Sequence, residues 1–518
     1  MPERSHPIDA LEQAPEAPAQ PQSPSVAAQT EYFDVLIVGA GLSGVAAAYH
    51  LQTRSSGKTF AILEGRQAIG GTWDLFRYPG VRSDSDMHTL GYGFKPWASD
   101  ESIAGGPAIL DYVRDTAREN GIDRKTRFGQ NVTSASWSSK DARWTVETTV
   151  ARDNSVKRYT CSFLFMCSGY YDYSDGYTPQ WPGTDEFKGT IVHPQHWPEA
   201  LDYAGKRVVI VGSGATAVTL APEMAKTAAH VTMLQRSPTY IVARPKEDAI
   251  AKWLQRKLPG SLGGTLARWK NVLLGIYFYG LARKRPAYVK QGIINMVRAE
   301  LGADYDVATH FTPAYNPWDQ RLCLVPDADL FAAIRSGSMS VETDHIERFT
   351  EHGLALRSGK TLMADIVVTA TGLRMRLMGG MRLTVDGVAV ELGKALSYKG
   401  MMFSDVPNLA SAFGYTNASW TLKCELTCEY VCRLLNYMDA GGYAYATPRR
   451  DPSVGEEPSL GLTSGYVLRA EGILPKQGTR KPWKMYQNYL LDLAAMRFGK
   501  IADRALEFTR RSAKQSAA

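Results

Sequence analysis

Two short glycine-rich stretches offer the first chemistry in this sequence. Gly39-Ala40-Gly41-Leu42-Ser43-Gly44 and Gly212-Ser213-Gly214-Ala215-Thr216-Ala217 both have the spacing of a dinucleotide-phosphate turn. The first glycine permits the tight turn, and the second lets the backbone approach a pyrophosphate. The third lets helix and strand pack closely. Helix amides and the helix dipole then face the phosphate. In the second loop Ala217 replaces the third glycine, a change that helix packing tolerates. One such match alone is weak, but here each comes after an apolar strand and precedes a helical stretch.

The two loops lead to second strands with different ends. Glu64 lies 20 residues after Gly44, at the end of the run Phe60-Ala61-Ile62-Leu63. A carboxylate there accepts hydrogen bonds from ribose hydroxyls and repels a 2′-phosphate, which suits FAD. The corresponding stretch after the second loop is Gln235-Arg236-Ser237, with no acid. A guanidinium pairs well with a phosphate, so this site suits NADPH over NADH. The bland alternative for Arg236 is an ordinary surface arginine.

The elements that must hold these loops are buried strands. Phe33 to Val38 leads into the first loop and Arg207 to Val211 into the second; His230 to Leu234 precedes Gln235. A third strand-to-glycine passage runs from Asp365 to Gly372. The expected fold is α/β, with two Rossmann-like dinucleotide-binding domains, the NADP domain inserted into the FAD domain. The FAD domain is expected over 31–170 and 365–518. The NADP domain is expected over 171–364, with a helical insertion at about 245–310. Residues 1–30, where proline recurs every third position from Pro15 to Pro24, read as a disordered tail. No short-period repeat appears, which argues against a solenoid or propeller.

Composition narrows the class. The 518 residues are 44% hydrophobic and 21% charged, ordinary for a globular chain, and fit about three domains. The net charge of +7 is no nucleic-acid footprint. Six cysteines make no disulfide framework, and no N-terminal stretch reads as a signal peptide, so a cytoplasmic setting is expected. Cys424, Cys428 and Cys432 lie four apart on one helical face; three on one helix span too far for zinc, so they read as core and no metal is expected. Asn271 to Ala282 is almost wholly apolar between basic flanks. It is too short to span a bilayer. A buried helix walling a substrate tunnel is the expected reading; a membrane-surface helix is the alternative, not favoured.

Four further segments carry a family resemblance. They are Gly70-Gly71-Thr72-Trp73 with Tyr78-Pro79-Gly80 and Asp84; FKGTIVHPQHWP, containing Phe187, Gly189, His193, Trp197 and Pro198; PWDQRLCLVPD, Pro317 to Asp327; and GYTNASWTLK, Gly414 to Lys423. With both glycine loops, in this order, the chain resembles the type I Baeyer–Villiger monooxygenases, closest to the branch containing bacterial ethionamide-activating enzymes. The resemblance covers nearly everything from residue 32 onward. The FKGTIVHPQHWP segment is its most specific part, because related flavin-containing monooxygenases differ at Trp197. Disulfide reductases also have two glycine loops, but with a redox cysteine pair; this sequence has no C-x-x-C or C-x-x-x-x-C.

The resemblance implies an enzyme that holds FAD, is reduced by NADPH, and captures molecular oxygen as a C4a-peroxyflavin. It would insert one oxygen atom next to a ketone carbonyl to give an ester or lactone, with sulfoxidation of a sulfide as side activity. It makes Arg321 the active-site arginine that stabilises the peroxide and the subsequent adduct. Asp84 becomes the acid that orients Arg321 and lies beside the cofactor. Trp73, Asp74, Val132 and Gly372 are placed with the bound cofactors, beside Gly39, Gly41, Gly44, Glu64, Gly212, Gly214, Ala217, Gln235 and Arg236. Phe187, Gly189, His193 and Trp197 form the domain linker, with His193 a domain-orienting group. Trp420 either walls the substrate pocket or is a plain core residue. The helix starting near Thr421 would aim its dipole at the flavin. Many relatives carry lysine where Gln320 stands, so Arg236 takes more of the phosphate recognition. Two other readings compete: a flavin-containing monooxygenase acting mainly on nitrogen or sulfur, and a non-enzymatic flavin-binding or membrane-associated sensor.

Overall fold

The computed structural model describes residues 30–510, so the expected tail at 1–30 lies almost wholly outside the described residues. The strand Glu31–Val38 is central to the first unit. Val35, Leu36 and Ile37 are all fully buried, because both faces of the strand are covered. It pairs in parallel with Phe60–Leu63 on one side and with Val156–Met166 on the other. The strand Val156–Met166 is long enough to fork. Its first half continues into an antiparallel meander with Arg143–Val150 and Gln130–Ser138, and its last residues pair in parallel with Leu409–Ser411. Thr126–Arg127, Arg382–Val385 and Val388–Ala389 complete a nine-stranded sheet.

The second unit is a five-stranded parallel sheet in the order Met339–Thr343, His230–Gln235, Arg207–Val211, Ile366–Val368, Thr190–Val192. This order corrects one expected boundary. Ile366–Val368 is expected in the first unit but pairs with Arg207–Val211 and Thr190–Val192. The return to the first unit therefore falls after Gly372. The chain passes between the units along Tyr171–Gly176 and back along Leu373–Met375, and these two strands pair antiparallel.

The helical insertion holds Ala249–Lys257, Leu262–Lys284, Pro286–Leu301 and Val307–Phe311. Here a second expectation fails. Within Asn271 to Ala282 only Val272 and Ala282 are buried, while Leu273, Leu274, Tyr277 and Phe278 are exposed. The segment is a surface helix, not a buried wall. A stretch that is apolar all round has no polar side to mark which face turns outward. No helix among the described residues is long and apolar enough to cross a membrane.

The helix Trp420–Gly441 runs through the core of the first unit and buries Cys424, Cys428 and Cys432. Burial pushes the Cys424 thiol up to about 12 and that of Cys432 to about 11, and Cys428 rises well above the usual thiol range. These are protonated packing groups.

Candidate active site

A single cavity of about 1380 Å³ runs from the first glycine turn to the second. At its first end Gly39 has φ +102°, and a Cβ there would fall 2.5 Å from the Cys167 carbonyl oxygen. A Cβ on Gly44 would fall 1.9 Å from the Gly39 oxygen, so Gly44 serves the helix–turn contact and does not line the cavity. Gly41 packs on Gly71, whose φ is +56°. The helix Leu42–Arg54 begins at Gly41 with no side-chain cap, leaving its first amides for an anion. Glu64 is buried at this end and accepts from the amides of Ala40 at 2.7 Å and Arg66 at 2.8 Å. Burial outweighs those two bonds and raises its carboxyl above the usual range. A partly desolvated carboxylate with lone pairs left over fits a ribose diol. Trp73 and Val132 line the same end. These residues fit FAD.

Asp74 is not at the cavity, contrary to expectation. It neighbours Trp73 on the short helix Thr72–Leu75, and successive helical side chains point about 100° apart. Trp73 takes the cavity side, and Asp74 turns into protein. There it binds Arg66 at 2.6 Å, Arg77 at 3.0 Å and Arg114 at 2.8 Å.

At the second end Gly212 has φ +140°, with a Cβ position 2.3 Å from the Ala370 oxygen. Gly214 differs: a Cβ there would meet nothing within 4 Å. No protein atom demands glycine at that point, and the open side is the cavity, as close approach of a phosphate requires. Ala217 is buried inside the helix Ala215–Met224 and does not reach the cavity. Arg236 is exposed on the cavity wall, with no carboxylate partner among the described residues. Gln235 is expected beside it but is buried, donating to the His310 carbonyl at 2.7 Å and to Thr343 at 2.9 Å. Side chains alternate sides along a strand, so Gln235 and Arg236 do not face the same cavity. Gln320 and Gly372 also line this end. So does Arg469, for which the sequence carries no signal. Its guanidinium lies 3.6 Å over the Tyr177 ring. Burial lowers its pKa, Tyr177 opposes this, and the nearby Arg374 and Arg236 add to it. Two guanidiniums on one wall fit an anionic 2′-phosphate.

Between the two ends Arg321 meets Asp84 at 3.1 Å. The two residues come from different units. Asp84 comes after the Tyr78-Pro79-Gly80 turn, where a Cβ on Gly80 would press 2.9 Å from Glu223 of the second unit. Arg82 bridges to Asp329 of that unit. Arg321 comes after a tight turn in which Trp318 takes φ +70° and Asp319 accepts from the Asn316 amide at 3.0 Å. The strand Cys323–Pro326 then fixes the chain against Ile241–Arg244. Asp84 chiefly holds the guanidinium charged; burial opposes this, and Tyr170, Tyr466 and Tyr171 add to it. The open part of both side chains faces the cavity. Trp420, the first residue of its helix, lines the wall, stacks on Tyr170 and donates to Ser43 at 2.9 Å.

Phe187, Gly189, His193 and Trp197 lie away from the cavity. Phe187 is buried against Phe349, and a Cβ on Gly189 would fall 2.4 Å from the Asp365 oxygen. Trp197 packs on the core of the second unit. The His193 ring sits against Gly176 in the crossover strand, where a Cβ would lie 2.0 Å from it, and its Nδ1 accepts from the Gln195 amide. Burial lowers its pKa, against an opposing contact with the Gly372 backbone.

Comparison with known proteins bears on the family and the fold. Residues 37–100 match the NAD(P)-binding Rossmann-like domain family, and residues 105–256 match the flavin-binding monooxygenase-like family. The chain is 54% identical over 486 residues to the FAD-containing monooxygenase EthA of Mycobacterium tuberculosis, covering 93% of this chain and 99% of that protein. It is 47% identical over 487 residues to the probable FAD-binding monooxygenase AlmA of Acinetobacter baylyi, covering 93% and 97%. Among solved structures, an oxidized steroid monooxygenase bound to NADP superposes with a TM-score of 0.73 at 22% identity, covering 93% of this chain and all of that one. The open structure of cyclohexanone monooxygenase gives 0.68 at 20% identity, with the same coverage.

Proposed function

The chain belongs to the FAD-containing monooxygenases, and from that premise we propose that it is an NADPH-dependent Baeyer–Villiger enzyme. It inserts one oxygen atom of O2 next to a ketone carbonyl to give an ester or lactone, with sulfoxidation as a side activity. The observation that carries this reading is the Arg321–Asp84 pair, set in one cavity between two nucleotide cradles. The chemistry that bound FAD supplies is hydride uptake from the nicotinamide and activation of dioxygen.

The residues of this chain bind, orient and stabilise. The turn at Gly39 and the acid Glu64 hold the flavin nucleotide. The turn at Gly214 with Arg236 holds the nicotinamide nucleotide by its phosphates. Insertion beside a carbonyl builds negative charge on oxygen. A fixed guanidinium in a cavity walled by Tyr170, Tyr171 and Trp420 stabilises that charge better than water does. Asp84 is a positioning residue that keeps Arg321 aimed. A sensor has no use for such a group, and oxidation of nitrogen or sulfur needs no carbonyl adduct.

The test is NADPH consumption with product analysis across linear, cyclic and aryl ketones, beside a sulfide and a tertiary amine. Ester or lactone formed in step with NADPH supports the reading. Oxidation of the amine and sulfide with no ester from any ketone refutes it.

A further inference from the structure

Residues 249–299 contain no aspartate or glutamate, yet ten lysines and arginines fall among them. The structure gives this bias a face. On the helix Leu262–Lys284, Leu262, Leu266, Leu273 and Tyr277 fall within about 60° of one another around the axis. All four are exposed, Tyr277 at 62% and Leu273 at 51%, and Leu274 and Phe278 extend the stripe. The preceding helix Ala249–Lys257 packs closely here, since a Cβ on Gly263 would fall 2.5 Å from the Leu254 oxygen. It adds Trp253, exposed at 59%.

The other side of the long helix is committed to the protein body. Arg268 binds Glu425 at 2.6 Å, Asn271 donates to Asp86 at 3.0 Å, and Val272 packs on Tyr415 and Leu422. Three acids near the long helix are engaged: Asp100 with Lys252, Asp248 with Lys270, and Asp319 with Arg283. Lys284 falls about 40° around the axis from Leu262, on the side of the stripe. Lys257 ends the preceding helix and Arg285 caps the long one; all three are exposed, with no carboxylate partner among the described residues.

We propose that this face docks on an anionic lipid bilayer, lying in the interface without crossing it. The apolar stripe enters the boundary between headgroups and acyl chains, and Lys257, Lys284 and Arg285 meet anionic headgroups. Charge complementarity selects this occupant. A second copy of the same face would set like charges against each other with no acid between them. Docking would place the membrane one helix thickness, roughly 10 Å, from Tyr415 on the cavity wall. The proposal does not rest on the oxygenation chemistry.

The experiment is vesicle flotation of the full-length, FAD-loaded protein. The probes are phosphatidylcholine vesicles, with and without phosphatidylglycerol, at low and high salt. Flotation is expected only with phosphatidylglycerol, and high salt should weaken it as headgroup attraction is screened. The Lys257→Gln, Lys284→Gln, Arg285→Gln triple variant should lose partitioning by roughly tenfold or more at low salt. Leu273→Ser with Tyr277→Ser should lose it at either salt. All five positions are solvent-exposed and outside the cavity, so FAD content and melting temperature should not change. Failure to float, equal binding to both vesicle types, or binding unchanged in both variants overturns the proposal. So does a dimer by light scattering that the Leu273→Ser, Tyr277→Ser variant dissociates, since the occupant is then a second copy.

Discussion

Replacing Arg321 with alanine removes the guanidinium that Asp84 holds at 3.1 Å while leaving both nucleotide cradles intact. Loss of one preorganised donor at a site of developing oxyanion charge costs about 3–4 kcal/mol of transition-state stabilisation. That is a loss of roughly a hundredfold or more in the oxygenation step. Asp84→Ala should cost less. At an effective dielectric of about 20, the gross attraction at this distance is about 5 kcal/mol. Both side chains keep about a third of their surface open to the cavity, 34% for Arg321 and 38% for Asp84. Screening and desolvation therefore leave a net positioning energy of about 1 kcal/mol, or a fivefold to tenfold loss. The assay tracks NADPH oxidation, hydrogen peroxide release and product together. Arg321→Ala should bind FAD, oxidise NADPH and release peroxide in place of product, and Asp84→Ala should do so in part. Product at the wild-type rate from Arg321→Ala would refute the central role given to this pair.

Three further outcomes are expected. Arg236→Ala should raise the KM for NADPH by about one to two orders of magnitude and leave NADH nearly unchanged, because only the phosphate partner is lost; a wild-type preference for NADH sinks the assignment. Gly44→Ala forces a methyl group to within 1.9 Å of the Gly39 oxygen, so the purified protein should carry at most about a tenth of its FAD by absorbance; full occupancy contradicts the packing argument. Burial holds His88, His193 and His310 below the ordinary imidazole range. The unfolded chain therefore takes up protons first as pH falls below about 6.5. Stability present above that pH is lost as pH drops through the lowered folded values. The melting temperature should fall between about pH 7 and pH 5, less steeply in His193→Asn, and an identical profile in that variant removes His193 from the account.

Local signals make much of the framework legible. A glycine turn between an apolar strand and a helix is encoded within about fifteen residues, so both cradles and the strands leading into them can be read directly. The features that escape depend on contacts distant in sequence. Ile366–Val368 is apolar enough for either sheet, and only its pairing with Arg207–Val211 decides between them. The antiparallel meander over 130–166 has Ser/Asp/Asn clusters at both turns, Ser138 to Asp141 and Asp153 to Ser155, but they do not say which sheet its strands join. Arg469 lies far along the chain from the second turn, whose wall it completes. Asp74 and Gln235 stand beside residues that do face the cavity, but neighbours along a helix or strand point different ways. The apolar run at 271–282 has no periodicity, so its exposure becomes visible only when the helix is placed on the body.

The antiparallel crossover has a topological consequence. Tyr171 and Met375 are register partners, so the chain leaves the first sheet and re-enters it at nearly one point. Paired residues in an antiparallel ladder lie only about 5 Å apart. The roughly two hundred residues between them form a closed excursion whose ends already touch. A turn of a few residues joining those ends would bridge the gap with little loop-closure cost. The nine strands of the first sheet all lie outside the excursion, so such a splice would leave every one of their pairings in place.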